Sequence, residues 1–278
     1  MPLAATAATA RDAYRTIERL ALGPTGDERE RRIVAELAAL DPQARGEAIR
    51  LINAGSDPVT TDHLLHDDID DPALRASAAQ LISEADAFSH QPGNAIISDV
   101  DKTILDGKGR QYPGVAALYQ ALGGNAGGDT HIVSARPLSF LLPTEFELHT
   151  LPHNSVSYGK TLPSFASLFG AFDGIRKEKV KDCLATFDRN PSRSFTLVGD
   201  TAQSDPDVYR EVLAQRPSQV RLVLIHEVDG RAAPQDLRSD AHVVCFTDYA
   251  DAAQKLAARG DLTDAQLQGV LADVHAGV

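Results

Sequence analysis

The sequence predicts an α/β protein, a doubly wound parallel sheet with an α-helical N-terminal region. Three observations carry that expectation. Residues 1–90 space their apolar side chains at helical intervals. The hexapeptide "SHQPGN" at 89–94 is turn chemistry and marks a boundary. Beyond it, short apolar runs alternate with amphipathic segments, and strands alternating with helices build a parallel sheet covered on both faces. The expected domains are therefore 1–90, all helical, and 91–278, the sheet domain with its C-terminal helices.

The helical region comes first. "ARDAYRTIERLAL" sets Tyr14, Ile17, Leu20 and Leu22 along one face. "DERERRIVAELAAL" has a charged first turn, then Ile33, Val34, Leu37 and Leu40 at helical spacing. "ARGEAIRLINAG" ends at Gly55, which suits the residue just past a helix. "DDPALRASAAQLISEADAF" opens with acids and Pro72, as first turns do.

After the boundary, "NAIISDV", "THIVSA", "SFTLVGD", "QVRLVLI" and "AHVVCF" read as strands. "PGVAALYQALG", "GIRKEKVKDCLATF", "PDVYREVLAQR" and "DYADAAQKLAARG" read as the helices between and after them. "LTDAQLQGVLADV" reads as one more helix, with Thr263 as its N-cap. The chain shows no internal repeat.

Bulk properties narrow the functional classes. The 278 residues suffice for a sizeable core, with 43% apolar and 24% charged residues. A net charge of −12 argues against nucleic acid and anionic membrane surfaces as partners. It leaves room for an anionic substrate, which a metal ion and a few local cations can hold. No run of 18 or more apolar residues occurs, so no transmembrane helix is expected. The Ala-rich start has no basic segment before an apolar core and does not read as a signal peptide. Cys183 and Cys245 lie far apart and fit buried thiols in a reducing cytoplasm.

The chemistry is read at the strand ends, because open parallel sheets bind ligands at their carboxyl edge. Past "AII" stand Asp99, Asp101 and Thr103. Past "HIV" stand Ser134 and Arg136. Past "FTLV" stand Gly199, Asp200 and, five residues on, Asp205. A carboxylate can attack a phosphoryl group and form an aspartyl-phosphate. A second carboxylate two residues on can protonate the leaving oxygen and then activate water. Carboxylates this close repel one another unless a hard cation sits among them, and Mg²⁺ favours such oxygen ligands together with substrate phosphate. A hydroxyl and an ammonium group would bind the remaining phosphoryl oxygens.

These residues resemble a family. "DVDKT" resembles the DxDxT signature of haloacid dehalogenase (HAD) superfamily phosphatases, "VSARP" their second motif and "LVGDTAQSDPDVY" their fourth. Together the three segments are similar to the catalytic domain of the actin-patch-associated phosphatidate phosphatases and their bacterial relatives, over about residues 94–228. The resemblance implies a Rossmann-like, HAD-like sheet of five parallel strands with the first motif's strand in the middle. It implies Asp99 as nucleophile and Asp101 as general acid/base. It implies Mg²⁺ held by Asp99, the backbone carbonyl of Asp101 and Asp200, supported by Asp205. Ser134, with Thr103 and a lysine, would bind phosphate. Counting back from Pro191 favours Lys179 for that lysine, with Lys177 as the other choice. Lys102 departs from the pattern: close relatives often have a second acid there, as in "DIDDT".

Ordinary readings stand beside these. A pair such as Asp99 and Asp101 also suits a strand-end turn, and only the order of three motifs favours a site. "HDDIDDP" at 66–72 could gather His66, Asp67 and Asp70 around a metal, but an acidic helix start explains it better. "RKEKVK" could meet phospholipid headgroups; a solvated helix face plus one catalytic lysine is preferred. His131, His149, His153 and His226 stand isolated and receive no role. The aromatic stretch 138–172 fits a hydrophobic substrate wall or cap as well as it fits ordinary packing.

The expected function is Mg²⁺-dependent hydrolysis of phosphate monoesters on a lipid phosphate or a phosphorylated small molecule. The alternative is a non-catalytic phosphate-sensing or scaffold protein that retains the site.

Overall fold

A computed structural model of the chain describes residues 3–21, 25–54, 61, 64–89, 93–123, 130–137, 155–159 and 168–277. The chain divides into two compact units, Met1–Pro92 with Thr186–Arg193, and Gly93–Ala185 with Ser194–Val278.

The first unit holds α1 (Leu3–Ala21), α2 (Asp27–Ala39), α3 (Pro42–Ala54), a π-helical turn (Leu64–Asp68) and α4 (Pro72–Ser89). Helical periodicity brings Ile17, Ile33, Leu37, Ile52, Leu64 and Ile69 into one buried cluster. Asp27, Glu28 and Glu30 occupy the first turn of α2, where the helix dipole favours anions. At the other end of α2, buried Arg45 donates to the carbonyls of Leu37 (2.8 Å) and Leu40 (2.9 Å), at the helix end where backbone acceptors run short of partners. The acidic run before α4 ends in a cap. The Asp71 carboxylate accepts from the amides of Ala73 (2.8 Å) and Leu74 (2.9 Å). That agrees with the helix-start reading of "HDDIDDP"; the side chains of His66 and Asp67 lie outside the described residues.

The second unit is a Rossmann-like α/β layer structure. Its elements, apart from the last four residues of α6 and the first of β4, are β1 (Gly93–Ser98), α5 (Val115–Gly123), β2 (Thr130–Pro137), β3 (Ser155–Gly159), α6 (Leu168–Arg189), β4 (Arg193–Asp200), α7 (Asp205–Gln215), β5 (Val220–His226), α8 (Gln235–Arg238), β6 (Val243–Phe246), α9 (Tyr249–Arg259) and α10 (Asp264–Ala276). The strands form one six-stranded sheet in the order β3-β2-β1-β4-β5-β6. The pairs β1–β2, β2–β3, β4–β5 and β5–β6 are parallel. The sheet thus has one strand more than the five expected. β3 adds the edge, from within the stretch read as a cap or wall; the rest of 138–167 lies outside the described residues.

Alternation along the strands sends Ile96, Ile132, Val198, Leu222, Leu224 and Val244 to one face. There they pack with Leu118 and Tyr119 of α5, Tyr249 and Leu256 of α9, and Val270 of α10. Thr263 caps α10, and its capping box is complete, with Gln266 answering the N-cap backbone. Asp273 of α10 in turn accepts from the Gly114 amide at 3.1 Å, just ahead of α5. These contacts hold one sheet face rigid.

The opposite consequence of the topology is functional. From β1 the chain order runs outward to β3 on one side and from β4 outward to β6 on the other. The crossovers therefore diverge between β1 and β4, and the crevice at their carboxyl ends is where such a sheet binds ligands. No helix among the described residues is long and apolar enough to cross a membrane.

Candidate active site

Asp99 follows the last residue of β1, and its amide donates to the carbonyl of Val198 in β4 at 3.0 Å. Asp200 ends β4, and Asp205 opens α7. One carboxylate oxygen from each of Asp99, Asp200 and Asp205 lies within 4.8 Å of the others, and all three side chains are buried. The close approach of Asp205 depends on Gly199. A Cβ there would meet Asp205 Oδ2 at 2.5 Å and Tyr209 Cε2 at 2.7 Å. Tyr209 is fixed by its hydroxyl, which donates to the Val198 carbonyl at 2.7 Å.

Lys179 reaches this cluster from α6. Its Nζ donates to Asp99 Oδ1 at 2.8 Å and to Asp205 Oδ1 at 2.7 Å. Lys177, the other choice, is exposed, as is Lys181, so the segment "RKEKVK" is a solvated face with one buried lysine.

The charges do not balance, since one ammonium faces three carboxylates. Burial pushes the Asp99 carboxyl up to about 7 even though Lys179 opposes the shift. Burial, with the Asp205 charge beside it, pushes Asp200 up to about 6. Burial alone would depress Lys179, but Asp205 and Asp99 outweigh it and raise its pKa above the ordinary lysine value. Asp99 Oδ2 is buried and accepts no hydrogen bond from the described residues. An orphaned carboxylate oxygen beside two more acids is a donor set that suits a hard divalent cation.

The loop after Asp99 is a tight turn. The amides of Ile104 (2.8 Å) and Leu105 (2.9 Å) both donate to Val100, and Lys102 stands in the left-handed region at φ 60°. For a lysine that conformation costs roughly 1 kcal/mol or more, so the surroundings must impose it. They do so by gripping carbonyls. Ser98 Oγ donates to the Asp99 carbonyl and Tyr249 Oη to that of Thr103, each at 2.7 Å, and His226 Nδ1 lies 2.7 Å from that of Lys102. Thr103 Oγ1 points at Asp200 Oδ2, 3.4 Å away.

The structure therefore brings together Asp99, Asp200, Asp205, Lys179 and Thr103. Asp101 is half-buried in the turn, and its carboxylate stands outside the cluster of three. Ser134 is buried on β2, two residues beyond the Ser98–Ile132 pair, at the same sheet edge. Sequence reasoning missed the supports, namely Ser98, Tyr209, His226 and Tyr249. The partners of each include a backbone carbonyl, which leaves no spacing in the sequence.

A family model described as phosphatidate phosphatase APP1, catalytic domain, matches residues 106–227. No curated protein and no solved structure matches the chain. The matched range holds Ser134, Lys179, Asp200 and Asp205 and begins seven residues past Asp99, so the first acid loop is tied to the rest by the fold. Over residues 106–227, then, the chain is similar to the phosphatidate phosphatase APP1 catalytic domain.

Proposed function

We propose that this chain is a HAD-type phosphatase that uses Mg²⁺ and an aspartyl-phosphate intermediate to hydrolyse phosphate monoesters. The observation that carries the reading is Lys179 Nζ set between Asp99 and Asp205 while Asp99 Oδ2 is buried with no hydrogen bond from the described residues. Asp99, Asp200 and Asp205, with the Asp101 carbonyl, would hold Mg²⁺. When bound, the ion offsets the charge of the carboxylates and of the phosphoryl group.

The protein's own groups supply the remaining steps. An Asp99 oxygen attacks phosphorus, and the bond from phosphorus to the ester oxygen breaks. Asp101 gives its proton to that oxygen, which leaves as an alcohol. A water molecule then loses a proton to Asp101 and attacks the same phosphorus. The bond to Asp99 breaks, inorganic phosphate leaves, and both acids return to their starting state. Lys179 favours the ionised form of Asp99 and, with Ser134 and Thr103, faces the phosphoryl oxygens as charge spreads over them.

The family match makes a phosphatidate-like lipid phosphate the first substrate to test, with a phosphorylated small molecule as the comparison. We place the protein in the cytoplasm and read 1–90 and 91–278 as separate domains. The test is phosphate release from a panel of esters that includes short-chain phosphatidate, with Mg²⁺ or EDTA, for the wild type and Asp99→Asn. Release that needs Mg²⁺ and disappears in the variant supports the reading. A folded protein that releases phosphate from no ester overturns it in favour of a phosphate-binding role.

A further inference from the structure

We propose that His226 is a positioning residue that sets the aim of the Asp101 loop, an inference that rests on the phosphatase reading above. His226 ends β5 and is 3% exposed. Its position is unusual because it touches both acid-bearing segments. Through its backbone it pairs with Asp200 across the β4–β5 ladder, and its carbonyl accepts from the Thr201 amide at 3.0 Å. Through its side chain it reaches the other segment, with Nδ1 2.7 Å from the carbonyl of Lys102, the residue after Asp101.

The ring has little freedom. Its Nε2 lies 3.1 Å from the Thr247 carbonyl. It stacks on Phe246 at 4.9 Å with planes 4° apart, and Tyr112 meets it edge-on at 5.0 Å. Lys102 is the residue forced to φ 60°, so the contact falls where the backbone most needs an external hold. Moving that carbonyl rotates the Lys102–Thr103 peptide, disturbs the left-handed turn at Lys102 and so redirects the side chain of Asp101 just before it. Proton transfer depends steeply on such aim.

Two isosteric replacements separate positioning from mere packing. An Asn amide nitrogen can stand where Nδ1 stands, and a Gln amide nitrogen where Nε2 stands. His226→Asn therefore offers a donor toward the Lys102 carbonyl, and His226→Gln offers one only toward the Thr247 carbonyl. The expected result is a fall in kcat of ~10- to 100-fold for His226→Gln, with KM changed less than about two-fold. His226→Asn should stay within about three-fold of wild type. Hydrogen exchange of the 102–105 amides should quicken in His226→Gln and stay near wild type in His226→Asn. Equal losses in the two variants, or equal exchange at 102–105, would overturn the proposal. An inactive wild type would overturn the phosphatase reading instead, and the exchange comparison would still decide the role of His226.

Discussion

Lys179 and Asp99 form an ion pair of 2.8 Å, with side chains only 5% and 2% exposed, between helix α6 and the end of strand β1. The same ammonium meets Asp205 at 2.7 Å. Replacing Lys179 by Met would leave both acids buried with no counter-charge. Such a loss destabilises by about 3–5 kcal/mol. Urea unfolding should show this penalty and show it reduced when Asp99→Asn is added, because one of the two orphaned charges is then gone. Phosphate release should vanish in both. A Lys179→Met protein as stable as wild type would contradict the pairing.

Gly199 tests how closely Asp205 must approach. In Gly199→Ala the new Cβ would stand 2.5 Å from Asp205 Oδ2 and 2.7 Å from its Cβ. Neither the Asp205 backbone nor the Tyr209 ring yields easily in a packed core. The expected cost is about 1–3 kcal/mol of stability, with weakened Mg²⁺ binding by calorimetry. Unchanged cation affinity would show that Asp205 has no part in holding the ion.

The pH dependence of the metal-free protein follows from the raised carboxyls. Asp99 moves from 3.8 to about 7 and Asp200 from 3.8 to about 6. An acid with a raised pKa binds its proton more tightly when folded. Its stabilising effect is complete below pH 3.8 and is lost as pH rises through about 7. Asp106 works in the opposite sense. Hydrogen bonds, chiefly from the Arg110 backbone amide, lower it to about 2, so its stabilisation is lost only in strong acid. Between about pH 5 and 8, then, melting in EDTA should fall as pH rises. Mg²⁺ competes with the same protons, so it should raise Tm more at pH 8 than at pH 5. Equal Mg²⁺-induced shifts at the two pH values would separate the ion from these carboxyls.

Much of this was readable from local pattern. β1 and β4 announce themselves as short, mostly buried strands, with an Asp just past the end of β1 and another as the last residue of β4. Thr263 and Gly260 carry their own chemistry, a capping box and a left-handed residue at φ 82°. Lys179 was singled out by counting, and the helix buries it while exposing Lys177.

The remainder is tertiary. β3, "SVSYG", is five residues long and has one neighbouring strand, so neither length nor apolarity marked it. α6 begins at Leu168 and runs through Gly174, which sequence reading took as its start, because glycine's helix penalty is only about 1 kcal/mol. α1 likewise extends back to Leu3 through the Ala-rich start, where helix propensity is highest. His226 was invisible because both of its partners are backbone carbonyls, brought near it by the sheet.

The hydroxyls beneath the Asp99 loop give the last prediction. Ser98 Oγ lies 2.7 Å from Tyr119 Oη and also donates to the Asp99 carbonyl, while Tyr249 Oη donates to the Thr103 carbonyl at 2.7 Å. The Tyr119 and Tyr249 rings are 6.5 Å apart, and burial holds both phenols above their ordinary pKa, so they act here as neutral hydrogen-bonding groups. Tyr249→Phe removes the donor and leaves a buried carbonyl unsatisfied, at a cost of about 1–3 kcal/mol. Ser98→Ala should cost about 1 kcal/mol, since it strips one bond from the Asp99 carbonyl. If the two ends grip one rigid loop, a double-mutant cycle should show coupling of at least about 0.5 kcal/mol. Strict additivity would mean that the loop carrying Asp99 and Thr103 yields at one end without the other noticing, and that the turn is less rigid than its hydrogen bonds imply.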